Sequence, residues 1–125
     1  MEWLEAYLLA KPGALHDYKV EWKWDRYMVG GKLFAARCNP SETYKVYGGR
    51  RLLTLKCDPG RSELLRREFP GILPGFYTDK RTWISIRLDG GVERERILRL
   101  CDASYDLVFA RLTRRARMEI MDGGT

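Results

Sequence analysis

Tyr27-Met28-Val29-Gly30-Gly31-Lys32-Leu33-Phe34-Ala35-Ala36-Arg37-Cys38 holds two apolar runs divided by a glycine pair. A tight turn between twisted strands needs positive φ, which glycine adopts without steric cost. The stretch therefore predicts a β-hairpin, and with it an antiparallel sheet. Upstream, Val20, Trp22 and Trp24 alternate with Glu21, Lys23 and Asp25, the period of a strand. Downstream, Gly48-Gly49 lies between Tyr44-Lys45-Val46-Tyr47 and Arg51-Leu52-Leu53-Thr54-Leu55-Lys56-Cys57. That arrangement predicts a second hairpin, with Leu53, Leu55 and Cys57 on one face.

The flanks read as helices. Trp3 to Leu9 pairs Trp3 with Tyr7 and Leu4 with Leu8 at i, i+4, and Pro12-Gly13 stops it. Asp58-Pro59 opens a short helix through Phe69, capped by one of Asp58 or Ser62. Trp83 to Leu88 alternates as a last strand. From about Glu93 to Arg115, Ile97, Cys101, Tyr105, Val108 and Leu112 form a helical stripe. Asp102-Ala103-Ser104 is placed to cap a second helix inside that tract. Hairpins with helices at both ends give an α+β domain of two layers, a twisted antiparallel sheet with terminal helices on one face. One domain over residues 1–120 is expected, with a frayed tail at 121–125.

Composition agrees with a single soluble domain. The chain has 125 residues, 45% hydrophobic and 32% charged, a balance that excludes intrinsic disorder. No run of 18 apolar residues suggests a membrane span. Acidic Glu2 and Glu5 stand where a signal peptide needs bases, so a cytoplasmic protein is expected. Cys38, Cys57 and Cys101 are odd in number and widely spaced, which reads as buried thiols rather than disulfides or a metal clip. With 23 basic against 17 acidic residues the net charge is +6, which favours acidic partners, nucleic acid first.

Six short stretches occur together in a familiar order. They are Ala10-Lys11-Pro12-Gly13-Ala14, Val29-Gly30-Gly31-Lys32-Leu33-Phe34-Ala35 and Leu55-Lys56-Cys57-Asp58-Pro59. Pro74-Gly75-Phe76-Tyr77-Thr78-Asp79-Lys80-Arg81-Thr82-Trp83, Leu88-Asp89-Gly90 and Ser104-Tyr105-Asp106-Leu107-Val108 complete the set. In these the chain resembles the MmcQ/YjbR family over about residues 4–112. The resemblance implies a CyaY-like (frataxin-like) fold and a DNA-binding role of the "double-wing" type. The loop before the last strand departs from the family pattern, with Tyr77, Asp79 and Thr82 where His, Asn and His are usual.

The chemistry-bearing residues point to binding rather than catalysis. His16 is the sole histidine, and no motif sets a serine or cysteine beside it. Gly30-Gly31-Lys32 lacks the first glycine, the Ser/Thr and the helix of a phosphate-binding loop. The first helix offers only Glu2 and Glu5, and in the next strand Glu21 and Asp25 alternate with Lys19 and Lys23, a pattern unsuited to iron. No cofactor and no metal are expected. Lys32 at the first hairpin tip, Lys45, Arg50 and Arg51 around the second, and Lys80 and Arg81 in the later loop are the candidate phosphate contacts. The alternative is a protein- or small-ligand-binding module with a pocket formed by Trp22, Lys80 and Trp83. The arginines from 111 to 117 complement a helix C-terminus without any ligand.

Overall fold

The structure is a computed structural model and describes residues 2–123. Its elements are α1 (Glu2–Leu9), β1 (Leu15–Lys19), β2 (Trp24–Val29), β3 (Lys32–Cys38), β4 (Leu52–Lys56), α2 (Pro59–Glu68), β5 (Ile72–Pro74), β6 (Trp83–Arg87), α3 (Arg94–Ala110) and α4 (Arg114–Gly123). The strands make one sheet in the order β1-β2-β3-β4-β6-β5. Every neighbouring pair is antiparallel.

Helices cover one face of this sheet. Leu4 and Leu8 of α1, Leu65 of α2, and Ile97, Cys101 and Val108 of α3 share a core with Tyr27, Val29, Leu53, Leu55, Ile84 and Ile86. Where β2 pairs with β3, Tyr27 faces Ala35 and Met28 faces Leu33, so Phe34 is an extra, bulged residue. The bulge sends Phe34 into the helix-side core, edge-on to Tyr105 at 5.3 Å. It leaves Leu33 on the opposite face, against the cluster of Trp24, Ala36, Leu52 and Phe76.

The first hairpin forms as its glycines predict, with φ of 56° at Gly30 and 78° at Gly31. A Cβ on Gly30 would lie 2.7 Å from Leu112, so the turn also packs directly on the end of α3.

Several expectations are corrected. Residues 20–23 form the β1–β2 turn rather than a strand, which leaves Trp22 exposed. Tyr44 to Tyr47 is not a strand, and Gly48-Gly49 is not a hairpin tip. Residues 39–51 form one folded loop between β3 and β4, closed by hydrogen bonds from Gly49 N–H to Pro40 O and from Gly48 N–H to Tyr44 O. The tyrosines win because packing on Phe76, edge-on at 5.1 Å for Tyr44 and tilted at 4.9 Å for Tyr47, covers the sheet face that no helix covers.

The long helical tract breaks at residues 111–113, not at 102–104. Thr113 caps α4 through its hydroxyl, and Arg117 donates to Ala110 O and Leu112 O at the end of α3. Asp102 and Ser104 lie inside α3. The Asp102 carboxylate accepts from Tyr7 and Lys11, tying α1 to α3. The tail expected at 121–125 is helical through Gly123, and residues 124–125 lie outside the described residues.

Candidate nucleic-acid interface

One end of the sheet gathers cations. Lys32 leaves the β2–β3 turn, Lys56 ends β4, and Arg111 follows α3. Together with Leu33, Trp83 and Val108 they line a cleft of about 640 Å³. Each arrives there for a local reason. Gly30 lets the turn sit on Leu112, which brings Lys32 beside Arg111. Lys56 pairs with Trp83 across β4 and β6, and its ammonium lies 5.0 Å from the centre of that indole. Beyond the Ala35–Leu55 pair, the buried Ser104 hydroxyl bridges β3 and β4. It accepts from Lys56 N–H at 2.8 Å and donates to Phe34 O at 2.6 Å. The backbone under Lys56 is therefore held by α3.

No carboxylate is ion-paired with Lys32, Lys56 or Arg111 among the described residues. Burial lowers the Lys56 pKa, the Arg111 charge lowers it further, and Asp79 partly offsets both. A bound anion would relieve the crowding of like charge.

The six candidate cations, expected at two hairpin tips and in the later loop, are dispersed. Lys32 and the 39–51 loop leave opposite ends of β3, six residue steps or about 20 Å apart. Lys45 and Arg51 are exposed on that loop, and Arg50 lies 3.5 Å from Asp89. Lys80 donates to Gly75 O at 2.8 Å and lies over the Tyr47 ring at 5.5 Å. Arg81 is exposed beside Asp79 at 3.9 Å. The expected pocket of Trp22, Lys80 and Trp83 is also divided. Trp83 lines the cationic cleft, whereas Trp22 lines a depression of about 690 Å³ with Trp24, Leu33, Tyr44, Phe76 and Tyr77. Lys80 lies on the far side of the Tyr44–Phe76–Tyr77 cluster. Leu33 lies between the Trp22 and Trp83 openings, and Tyr44 and Tyr47 of loop 39–51 lie on the Lys80 side.

Lys56 and Arg111 are the residues that sequence reasoning missed. Lys56 reads as the polar side of a strand and Arg111 as one of a run at a helix end. Only the pairing of β4 with β6 and the packing of α3 on the sheet bring them together.

The YjbR family pattern matches residues 9–107 of this chain. The chain belongs to the YjbR family. The uncharacterized protein YjbR of Escherichia coli K12 is 33% identical over 99 residues, which cover 79% of this chain and 78% of that protein. The uncharacterized YyaQ of Bacillus subtilis is 39% identical over 61 residues, covering 49% and 51%. Among solved structures, the Deinococcus radiodurans protein DR2400 superimposes with a TM-score of 0.78 at 28% identity, covering 94% of this chain and 84% of that one. The YjbR match spans the glycine hairpin, the bulge and both loops of the open face. It stops short of Arg111 and α4.

Among the described residues, no three His, Cys, Asp or Glu side chains are grouped to hold a metal ion. No helix among them is long and apolar enough to cross a membrane.

Proposed function

We propose that this YjbR-family protein binds DNA through backbone phosphates at the cleft of Lys32, Lys56 and Arg111, with little sequence preference. The observation that carries the reading is the convergence of three cations without an ion-paired carboxylate, around an indole. Phosphate contacts need cationic side chains and carry no sequence information. The excess of 23 basic over 17 acidic residues supports the same partner.

A binding role without catalysis agrees with the reactive groups. Burial pushes the thiols of Cys38 and Cys101 up to about 12, far from a nucleophilic thiolate. His16 is engaged by Asp25 at 2.9 Å on an exposed edge strand. A small-ligand module is the second reading, favoured by the depression beside Trp22.

Fluorescence anisotropy with labelled DNA tests the proposal. Three phosphate contacts predict an affinity that falls about 20- to 40-fold between 50 and 200 mM salt. Joint replacement of Lys32, Lys56 and Arg111 by Ala should abolish most of that salt dependence. Absence of binding at 50 mM salt, or binding indifferent to salt, would overturn it.

A further inference from the structure

Apart from Trp83, the phosphate cleft uses none of the rings on the open face of the sheet. Trp22 is 53% exposed and Tyr77 68% exposed there, large apolar surfaces left in water. The two non-glycine residues with positive φ among those described are Lys23, at 58°, and Tyr77, at 54°. Both line the same depression. A left-handed backbone is unfavourable for a residue with a Cβ, and such conformations gather at functional sites. Both stand in turns, Lys23 between β1 and β2 and Tyr77 after β5, and both are exposed. The Tyr77 ring lies against Phe76 at 4.6 Å, and its hydroxyl meets that of Tyr44 at 2.5 Å. The ring is thereby held as a wall.

Leu33 lines both this depression and the cationic cleft. Neighbouring residues Lys32 and Leu33 thus adjoin a site for charge and a site for rings. Glu21 at the rim is ion-paired with Lys19 at 3.6 Å, and Lys23 stands beside it. In a single strand, phosphates and flat bases alternate along the chain. In a duplex both faces of each base are covered by stacking, so only an unpaired base can lie against Trp22 and Tyr77.

We infer that the aromatic depression takes an unpaired base of single-stranded DNA whose phosphates lie on Lys32, Lys56 and Arg111. This rests on the phosphate-binding reading and adds a preference for single strands. A free apolar ligand would leave the adjoining cations unused.

The test uses the full chain and fluorescein-labelled 12-mers at 50 mM salt: a single strand, the same strand with abasic sites, and the duplex. The base-bearing strand should bind roughly tenfold or more tighter than the abasic strand. Tyr77→Gly removes the ring while suiting the positive φ, so the loop keeps its shape. It should erase most of that gap and leave abasic and duplex binding unchanged, and Trp22→Ala should act likewise. Tyr77→Phe should retain the gap. Equal affinity for base-bearing and abasic strands overturns the inference while leaving phosphate binding intact. So does a Tyr77→Gly loss that is the same for both. If neither strand nor the duplex binds, the phosphate reading falls and the inference with it.

Discussion

The two faces of the sheet are covered in different ways. On one, aliphatic side chains of α1, α2 and α3 interlock with Leu53, Leu55, Ile84 and Ile86, all fully buried. On the other, loops lay Tyr44, Tyr47 and Phe76 over a floor that includes Thr54 and Ser85. Those two hydroxyls meet at 2.7 Å, and Ser85 also accepts from Phe76 N–H at 2.9 Å. Helices present a continuous apolar stripe and close their face. Loops cover in patches, and both openings adjoin the bulge residue's neighbour Leu33. Stability is concentrated on the first face, and the proposed binding surface lies on the second.

The largest expected effect tests that division directly. Phe34→Ala on the helix face should cost about 3–5 kcal/mol, because fixed helices and strands cannot collapse into the space. Phe76→Ala on the loop face should cost about 2 kcal/mol or less, since loops relax more readily. Urea unfolding of both variants decides the matter. A Phe76 loss equal to that of Phe34 would break the comparison.

A smaller effect sharpens it through pH. Burial alone would raise the Asp102 carboxyl, but hydrogen bonds from Lys11 and Tyr7 outweigh it and lower the pKa below the ordinary 3.8. A depressed carboxyl contributes stability above its unfolded value, and that contribution is lost as pH falls through the folded value. Asp102→Asn should therefore be less stable than the parent at pH 7, and the difference should shrink below about pH 4. Thermal midpoints at pH 7 and pH 3 measure this. A difference unchanged by acid would show that the network contributes nothing through charge.

The smallest expected effect concerns the seam between the faces. Lys56 is a partly buried cation beside Arg111, so Lys56→Met should raise stability by up to about 1 kcal/mol. The same change should weaken DNA binding. Lower stability in calorimetry would mean that the ammonium's position over Trp83 outweighs the repulsion.

Much of the architecture is legible in the chain because it rests on short-range rules. Gly30-Gly31 needs positive φ, and the turn forms there. Ile97, Cys101, Tyr105 and Val108 recur at helical spacing, and all are buried in α3. The second glycine pair shows the limit of the same rule. Gly49 does have a φ of 69°, but a Cβ on Gly48 would lie 2.3 Å from Tyr44 O, so this pair closes a loop instead of a hairpin. Local sequence could not separate the two outcomes, because the deciding energy is the contact of Tyr44 and Tyr47 with Phe76, some thirty residues away.

The candidate site was legible only in fragments. Lys32 and Trp83 stand out in the sequence, while Lys56 and Arg111 look like the polar edge of a strand and a helix end. By itself the chain determined the fold class, the first hairpin, the helix-side core and an excess of positive charge. Periodicity and backbone sterics act within a few residues. The choice of which cations meet, and where the rings stand open, belonged to tertiary structure. Charges and aromatic rings act across space, and residues 32, 56, 83 and 111 become neighbours only once β3, β4 and β6 pair and α3 packs on them.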